Sequence, residues 1–218
     1  ISFLFLAAVS LMIGCASKPI PYWQTEGFGH VENYKIKYLR GEDQIAESHY
    51  AKALEEIKRS GNLKLISRIY LTKYALKTAS LEDPVEGEYA DIEAVEPDAE
   101  NRNFFVFLKG NLAVVDAALL PERYRPFLKA GVQGKQKEIN GAIADIDDPL
   151  SKIIAVGIAV KNNLYNEVTL QRAIETASIN GWQKPLLACL AKLQKYYEAR
   201  NEKEKAVKIQ QKIKAIKN

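Results

Sequence analysis

The part of the chain from residue 43 to residue 217 is a succession of helix-length segments separated by turn-forming residues. Within each segment, apolar residues recur three and four positions apart, as they do on one face of an α-helix. Pairs such as Gly61-Asn62 and Asn180-Gly181 end segments, and the next apolar stripe begins shortly afterwards. No stretch alternates apolar and polar residues over the length of a strand. The pattern predicts an all-α domain over residues 43–218, made of helical hairpins.

Capping residues indicate where individual helices begin. Asp43 is predicted to cap a helix that reaches about Ser60, and a second helix follows over residues 63–78. Asp148-Pro149 supplies an N-cap and a first-turn proline for a helix over residues 150–160. That helix is apolar on nearly all sides, so we expect it to lie at the centre of the fold. Further helices are predicted from Asp98 to Gly110 and over residues 113–120, 122–129, 136–146, 163–178, 182–200 and 202–217.

Charge is distributed unevenly along the chain, although the net charge of +4 is modest and does not suggest a nucleic-acid partner. Residues 81–101 contain nine acidic residues and no basic residue, whereas residues 192–218 contain nine basic residues and three acidic ones. Each segment is interpreted either as a solvated surface or as a surface that faces a partner. On the second interpretation, the candidate partner-binding residues of the last helix are Lys205, Lys208 and Lys212.

The first fourteen residues form an uncharged and mostly apolar run. A helix of this length is shorter than the ~20 apolar residues that span a bilayer core, but it suits the hydrophobic region of a secretory signal. Gly14 precedes Cys15, and the small residues Ala16 and Ser17 follow it. Two simpler interpretations of this run are a plain signal peptide and a first core helix. In either of these, the position of Cys15 would be a coincidence.

The segment from Leu11 to Cys15 resembles the lipobox of bacterial lipoproteins, with Met12 in place of the usual leucine. The resemblance implies a signal peptide over residues 1–14, cleavage before Cys15, and lipidation of its thiol and its new amino group. Lipidated Cys15 would then attach the protein to the membrane. Because Ala16 and not aspartate follows the cysteine, the resemblance also implies an outer-membrane location, with the domain facing the periplasm.

Residues 15–41 are predicted to form an extended tether between the lipid and the domain. Two prolines and three glycines interrupt regular structure in this stretch. The stretch also contains several aromatic residues, which a free linker rarely carries, so we expect part of it to pack on the domain. Tyr22, Trp23 and Phe28 are candidate partner-binding residues, since aromatic side chains dominate interface anchors. The alternative is a strap that covers the first hairpin.

The spacing of Leu193, Tyr197 and Ala206 resembles that of the helical hairpin of a tetratricopeptide repeat. In such repeats the small alanine lets two helices approach closely, and the larger residues fill the space between them. Gln194 stands where the repeat has glycine, and the closing proline is absent. The resemblance implies an α–α superhelix of tetratricopeptide-like hairpins; the alternative is an irregular helical bundle.

No residue pattern indicates a catalytic, cofactor or metal site. His30 and His49 are the only histidines, one in the predicted tether and one on a helix, and no zinc, calcium or phosphate-binding motif occurs. We therefore predict no catalytic residue, no cofactor and no metal ligand. Once Cys15 is lipidated, Cys189 is the only remaining thiol, and its apolar neighbours predict a buried, unreactive side chain.

These features favour an interaction protein. The expected protein is a scaffold for an envelope protein partner, in secretion, pilus, flagellar or outer-membrane machinery. One alternative is an enzyme that acts on cell-wall glycan, which requires a pair of carboxylates from residues 82–100 in a cleft. A second alternative is a carrier of lipid or of another small molecule, which requires a closed apolar cavity among the helices.

Overall fold

The computed structural model describes residues 20–83 and 87–217, and the regular structure within them is entirely helical. This confirms the predicted all-α class and its superhelical arrangement of packed helices. The signal peptide predicted over residues 1–14 and Cys15 lie outside the described residues. The helices are α1 (Tyr22–Arg40), α2 (Asp43–Lys58), α3 (Leu63–Ala79), α4 (Gly87–Val95), α5 (Ala99–Leu108), α6 (Arg125–Val132), α7 (Gln136–Ala144), α8 (Pro149–Lys161), α9 (Glu167–Ile179), α10 (Gln183–Ala199) and α11 (Lys203–Lys217), with 3₁₀ turns at Leu112–Val114, Ala117–Leu119 and Glu122–Tyr124.

Two helix caps lie where the sequence predicted them, whereas the predicted Asp43 cap is wrong, because Asp43 is the first residue of α2 and no side chain caps that helix. The Asp98 carboxylate accepts a hydrogen bond from the backbone N–H of Asn101 at 2.9 Å and so caps α5. The Asp148 carboxylate caps α8 in the same way, accepting from the backbone N–H of Ser151 at 2.8 Å. Such bonds satisfy N–H groups in the first turn that have no partner within the helix.

The prediction of an extended tether is wrong for Tyr22–Arg40, which form the long helix α1. Its glycines do not break it, because α1 packs tightly against α2. A side-chain carbon added at Gly27 would lie 2.7 Å from Cδ1 of Ile57, so glycine permits the close approach. Tyr34 and Tyr38 of α1 are buried, which confirms that part of this stretch packs on the domain.

The helix predicted over residues 113–120 is also wrong, because this stretch consists of short 3₁₀ turns. A contact from outside the segment competes with helix formation. The side-chain amide of Asn103 on α5 donates to the carbonyl of Asp116 and accepts from its N–H, each at 2.8 Å. Both backbone groups of Asp116 are therefore bonded to α5 and not to a helical neighbour.

In the part of the chain that the structure describes, the core consists of two clusters that meet around α8. One cluster lies among α1, α2 and α3, and the other is centred on α8. Helix α8 carries eight buried residues, which confirms that it is central. Leu150 and Trp182 pack against both clusters and join them.

The C-terminal hairpin has the packing that its spacing predicted. Leu193, Tyr197 and Ala206 are all buried in the core cluster around α8, and Ala206 is the one buried residue of α11. The Tyr197 hydroxyl donates to the Glu167 carboxylate at 2.8 Å and connects the hairpin to α9. Among the described residues, no helix has both the length and the apolar composition required to cross a bilayer.

Candidate functional site

A groove with a volume of about 660 Å³ lies between α3, α5, the 3₁₀ segment and the beginning of α8. Its volume falls within the range of about 300–1,000 Å³ that is usual for ligand sites. Helices α3 and α8 also carry many core residues, so two sides of the groove are formed by well-packed helices. Elements that are far apart in the sequence thus form one concave surface.

The floor of the groove is apolar. Leu71, Ala75 and Leu76 of α3 contribute buried side chains, since they recur at helical spacing on one face. Phe104 of α5 and Ile154 of α8 complete the floor. Because the floor residues of α3 and α8 are already buried, a ligand with apolar groups would remove from water chiefly the exposed part of Phe104 and would gain packing contacts with the rest.

One side of the groove is a thin, exposed wall, here called the lip (residues 117–121). Ala118, Leu119 and Pro121 of the lip are exposed, and Leu119 retains 39% of its surface in solvent. Arg125 supports the lip from behind by donating to the carbonyls of Leu120 at 3.1 Å and Ala118 at 3.2 Å. The groove is therefore open along an apolar edge.

The rim of the groove is charged. Lys35, Arg68 and Arg123 are its cations, against the carboxylates of Glu100 and Asp148, so the rim has one excess positive charge. Arg68 pairs with Glu100 at 3.3 Å, and Arg123 lies 3.9 Å from Asp148. These pairs are about half exposed, so they orient the side chains and contribute little to stability.

A buried polar contact fixes α5 against α3 beside the rim. The side-chain amide of Asn101 donates to the Ser67 hydroxyl at 2.6 Å and to the Lys64 carbonyl at 3.1 Å. Burial raises the pKa of the nearby Asp98, but hydrogen bonds from Lys64 and from the Asn101 backbone outweigh it, so the net pKa is lowered. Asp98 is therefore an ionised cap near neutral pH, and it holds this end of the groove.

The aromatic residues predicted as partner contacts lie elsewhere. Tyr22 and Phe28 are exposed on α1, and Trp23 packs against the core cluster of α1, α2 and α3. None of the three lines the groove, although Lys35 of the same helix does. Sequence reasoning missed the groove itself, because it depends on how α3, α5 and α8 are placed relative to one another.

Of the basic residues predicted as partner contacts on the last helix, one is held by neighbouring side chains and two point into solvent. Lys205 pairs with Glu202 at 2.6 Å and lies 5.0 Å from the ring centre of Tyr197. The hydrogen bond with Glu202 raises the Lys205 pKa. Lys208 and Lys212 are exposed, and neither forms an ion pair within the described part of the chain. The three lysines do not approach the groove.

Several acids of the segment 81–101 have structural partners. Glu82 accepts from the Tyr38 hydroxyl at 3.0 Å and pairs with Lys184 at 3.3 Å. Glu93 accepts from the Tyr89 hydroxyl at 3.1 Å and pairs with Arg102 at 2.6 Å. Within the residues that the structure describes, Glu100 is the acid of this segment that lines the groove.

The two histidines are in contact, which the sequence analysis did not predict. Nδ1 of His30 on α1 lies 3.0 Å from Nδ1 of His49 on α2. No cluster of three or more histidine, cysteine, aspartate or glutamate residues suited to a metal ion occurs in residues 20–83 and 87–217. Cys189 is fully buried, which confirms its predicted burial, and this burial raises its pKa to about 12.

Comparison with known proteins gives no relative for this arrangement. No protein-family model, no curated protein and no solved structure matches the chain.

Proposed function

We propose that this protein is a lipid-anchored scaffold of the bacterial cell envelope that holds a short apolar segment of a partner protein in the groove. The lipid would confine the domain to a membrane surface, most simply the outer membrane with the domain in the periplasm. Confinement raises the effective concentration of the groove towards partners on the same membrane. The proposal thus combines the resemblance of the segment ending at Cys15 to a lipobox with the groove.

The observation that carries the proposal is the open apolar groove with its charged rim. A partner helix or extended segment that places apolar side chains on the floor would use a common mode of peptide recognition. The charged side chains of the rim would set its register, since complementary charges contribute to specificity. The open lip supports a protein segment over a small ligand, because a segment needs room to enter and to leave.

The two alternatives receive less support from the described residues. A carrier of lipid or of a small molecule would need a closed cavity, whereas the groove is open along the lip. An enzyme acting on glycan would need two carboxylates free to exchange protons. Both groove carboxylates, Glu100 and Asp148, lie within ion-pairing distance of arginines.

Site-specific photo-cross-linking in intact cells tests the proposal. A photoreactive residue at Leu119, which lines the groove, is compared with one at Val114, which is 74% exposed on the same irregular segment and does not line it. We expect a discrete envelope protein cross-linked to position 119 and absent from position 114. Equal products at both positions, or none at position 119, would refute the groove as the partner site.

The matched substitutions Leu119→Glu and Val114→Glu provide a second measurement. A charge on the apolar lip should weaken binding of the captured partner at least about tenfold, as expected for an interface anchor. The same charge at Val114 should leave binding unchanged. The anchor is tested separately, because Cys15→Ser should abolish labelling with a fatty acid, and persistent labelling would refute lipidation at that residue.

A further inference from the structure

The chain contains two histidines, and the fold places the Nδ1 atom of one within 3.0 Å of the Nδ1 atom of the other. His30 lies on α1 and His49 lies on α2, and the short turn between these helices makes them antiparallel. Their ring centres are 5.2 Å apart with an interplanar angle of 43°, and both side chains are half-buried. Solvent therefore reaches the pair, and with it any dissolved ion.

We propose that His30 and His49 bind a divalent transition-metal ion such as Zn²⁺ or Cu²⁺ through their two Nδ1 atoms. Imidazole nitrogen suits zinc, copper and nickel. With Zn–N bonds of about 2.0–2.1 Å and tetrahedral angles, two ligating nitrogens lie about 3.3–3.4 Å apart. The observed separation of 3.0 Å is close to that value. Small rotations of the two rings, whose terminal torsions are soft, would direct both lone pairs to one ion.

The protonation of the pair is compatible with metal binding. A hydrogen bond between two Nδ1 atoms requires one to donate and the other to accept, so at least one ring is neutral. Burial, then the charges of His30, Lys52 and Lys37, lower the His49 pKa and keep it neutral near pH 7. Metal binding requires both Nδ1 atoms to be unprotonated, so the proton on the donating Nδ1 must move to Nε2 of its ring or be released to solvent.

The backbone positions of the two histidines are held by their neighbours. Gly27, one turn before His30, allows α1 and α2 to approach closely, as described above. One turn after His30, the ring of Tyr34 lies 5.1 Å from that of Tyr50, which adjoins His49. Tyr34 and Tyr50 are both buried. The ligands are therefore presented on a rigid hairpin, which limits the entropy lost on binding.

The surrounding charge sets the strength of the site. Lys37 is paired with Glu42 at 2.7 Å, so its charge is largely compensated, whereas Lys52 opposes a bound cation. No third histidine, cysteine or carboxylate joins the pair within the described residues, so water would complete the coordination. Structural zinc sites use four protein ligands. A site with two ligands is exchangeable, and it would respond to the concentration of the ion.

Calorimetric titration of the full, untagged chain with Cu²⁺, Ni²⁺ and Zn²⁺ tests this proposal. The chain carries Cys15→Ser, so that the cysteine predicted to be lipidated does not compete for the metal. We expect one ion per chain, with Cu²⁺ bound most tightly. His30→Gln and His49→Gln should each weaken binding at least tenfold, since loss of an outer-shell partner alone costs about 10–100-fold. Lys52→Gln should tighten binding.

Two controls keep the result interpretable. Asn33→Gln changes an exposed amide one turn from His30 on α1 and should leave the affinity unchanged. Circular dichroism in the presence of a chelator shows whether each variant folds, and the two histidine variants are independent of each other. Affinity retained by both histidine variants, or absence of binding to the parent chain, would overturn the proposal. Because neither histidine lines the groove, this outcome is independent of the proposed partner binding.

Discussion

Replacing Gly157 with alanine tests the closest approach between two core helices. Gly157 lies on α8 where that helix crosses the end of α3. A side-chain carbon at this position would lie 2.8 Å from the carbonyl carbon of Thr78, and closer still to its oxygen. Ordinary contacts between carbons are about 3.5–4.0 Å. The obstacle is backbone, which cannot rotate away as the end of a side chain can, so α3 and α8 would have to separate.

The expected effect is the difference between two opposing contributions. Alanine is favoured over glycine in a helix interior by about 1 kcal/mol. Overpacking a core typically costs about 1–3 kcal/mol, and the backbone obstacle places Gly157→Ala at the upper end of that range. We therefore expect a net loss of about 2 kcal/mol in the free energy of unfolding. For a chain of this size, that loss lowers the melting temperature by about 4–8 °C.

Gly141→Ala is the matched control. Gly141 lies inside α7, is exposed, and has no atom within 4 Å of an added side-chain carbon. This substitution should raise the free energy of unfolding by about 0.5–1 kcal/mol. Urea denaturation followed by circular dichroism measures both variants. If Gly157→Ala were as stable as the parent chain, the close approach of α3 and α8 would be refuted.

Three further predictions concern the hairpin, the thiol and the histidines. Ala206→Glu should destabilise the fold by about 3 kcal/mol because it places a charge in a buried contact, whereas Val207→Glu, at a position 48% exposed, should be nearly neutral; thermal melting compares them. Cys189 should react with a thiol reagent only after unfolding, since it is fully buried with a pKa of about 12. If Cys189 in the folded chain reacted as fast as an exposed thiol, this prediction would be contradicted. The lowered His49 pKa means that the unfolded chain binds this proton more readily, so the free energy of unfolding is highest above the unfolded-state pKa of 6.5 and decreases as the pH falls below it through the lowered folded-state pKa. The urea midpoint of the parent chain should therefore decrease at acidic pH, and His49→Gln should reduce that decrease. A variant with the same pH profile as the parent chain would refute the assignment of the decrease to His49.

Local signals in the sequence were sufficient for most helix boundaries. Asp98 and Asp148 cap helices where they were expected to, because an N-cap depends on residues within one turn of itself. The central position of α8 followed from its apolar residues on all sides. Ala206 is buried in the same cluster as Leu193 and Tyr197, as the resemblance to a tetratricopeptide hairpin implied.

The errors arose where a distant contact overrides local preference. Gly27 suggested a break in the chain, yet in the fold it is the point at which Ile57 reaches α1. Once α1 is recognised as a helix, the short connection at Gly41 makes an antiparallel hairpin with α2, and His30 and His49 fall near each other. The aromatic residues of this stretch were the available signal, since they are unusual in a free linker. The groove had no local signal, because its walls come from residues as distant as Lys35 and Ile154.

The lip of the groove offers a test that joins local structure to the proposed function. Asn103 is buried on α5 and holds Asp116 through two hydrogen bonds of 2.8 Å, immediately before the lip. Asn103→Ala removes both bonds, and each net bond contributes about 0.5–1.5 kcal/mol. The helices do not depend on this contact, so the change should act on the lip more than on the global fold.

Hydrogen exchange should therefore accelerate at the amides of residues 113–120 in Asn103→Ala, while exchange in α8 stays close to that of the parent chain. Asn111→Ala is the control, since Asn111 is exposed at the start of the same segment and its side chain makes no capping bond. A mobile lip must be ordered when a partner binds, so Asn103→Ala should also weaken cross-linking at Leu119. Faster exchange with unchanged cross-linking would show that the lip does not contribute to the partner site. Unchanged exchange would show that Arg125, from the other side, is sufficient to hold it.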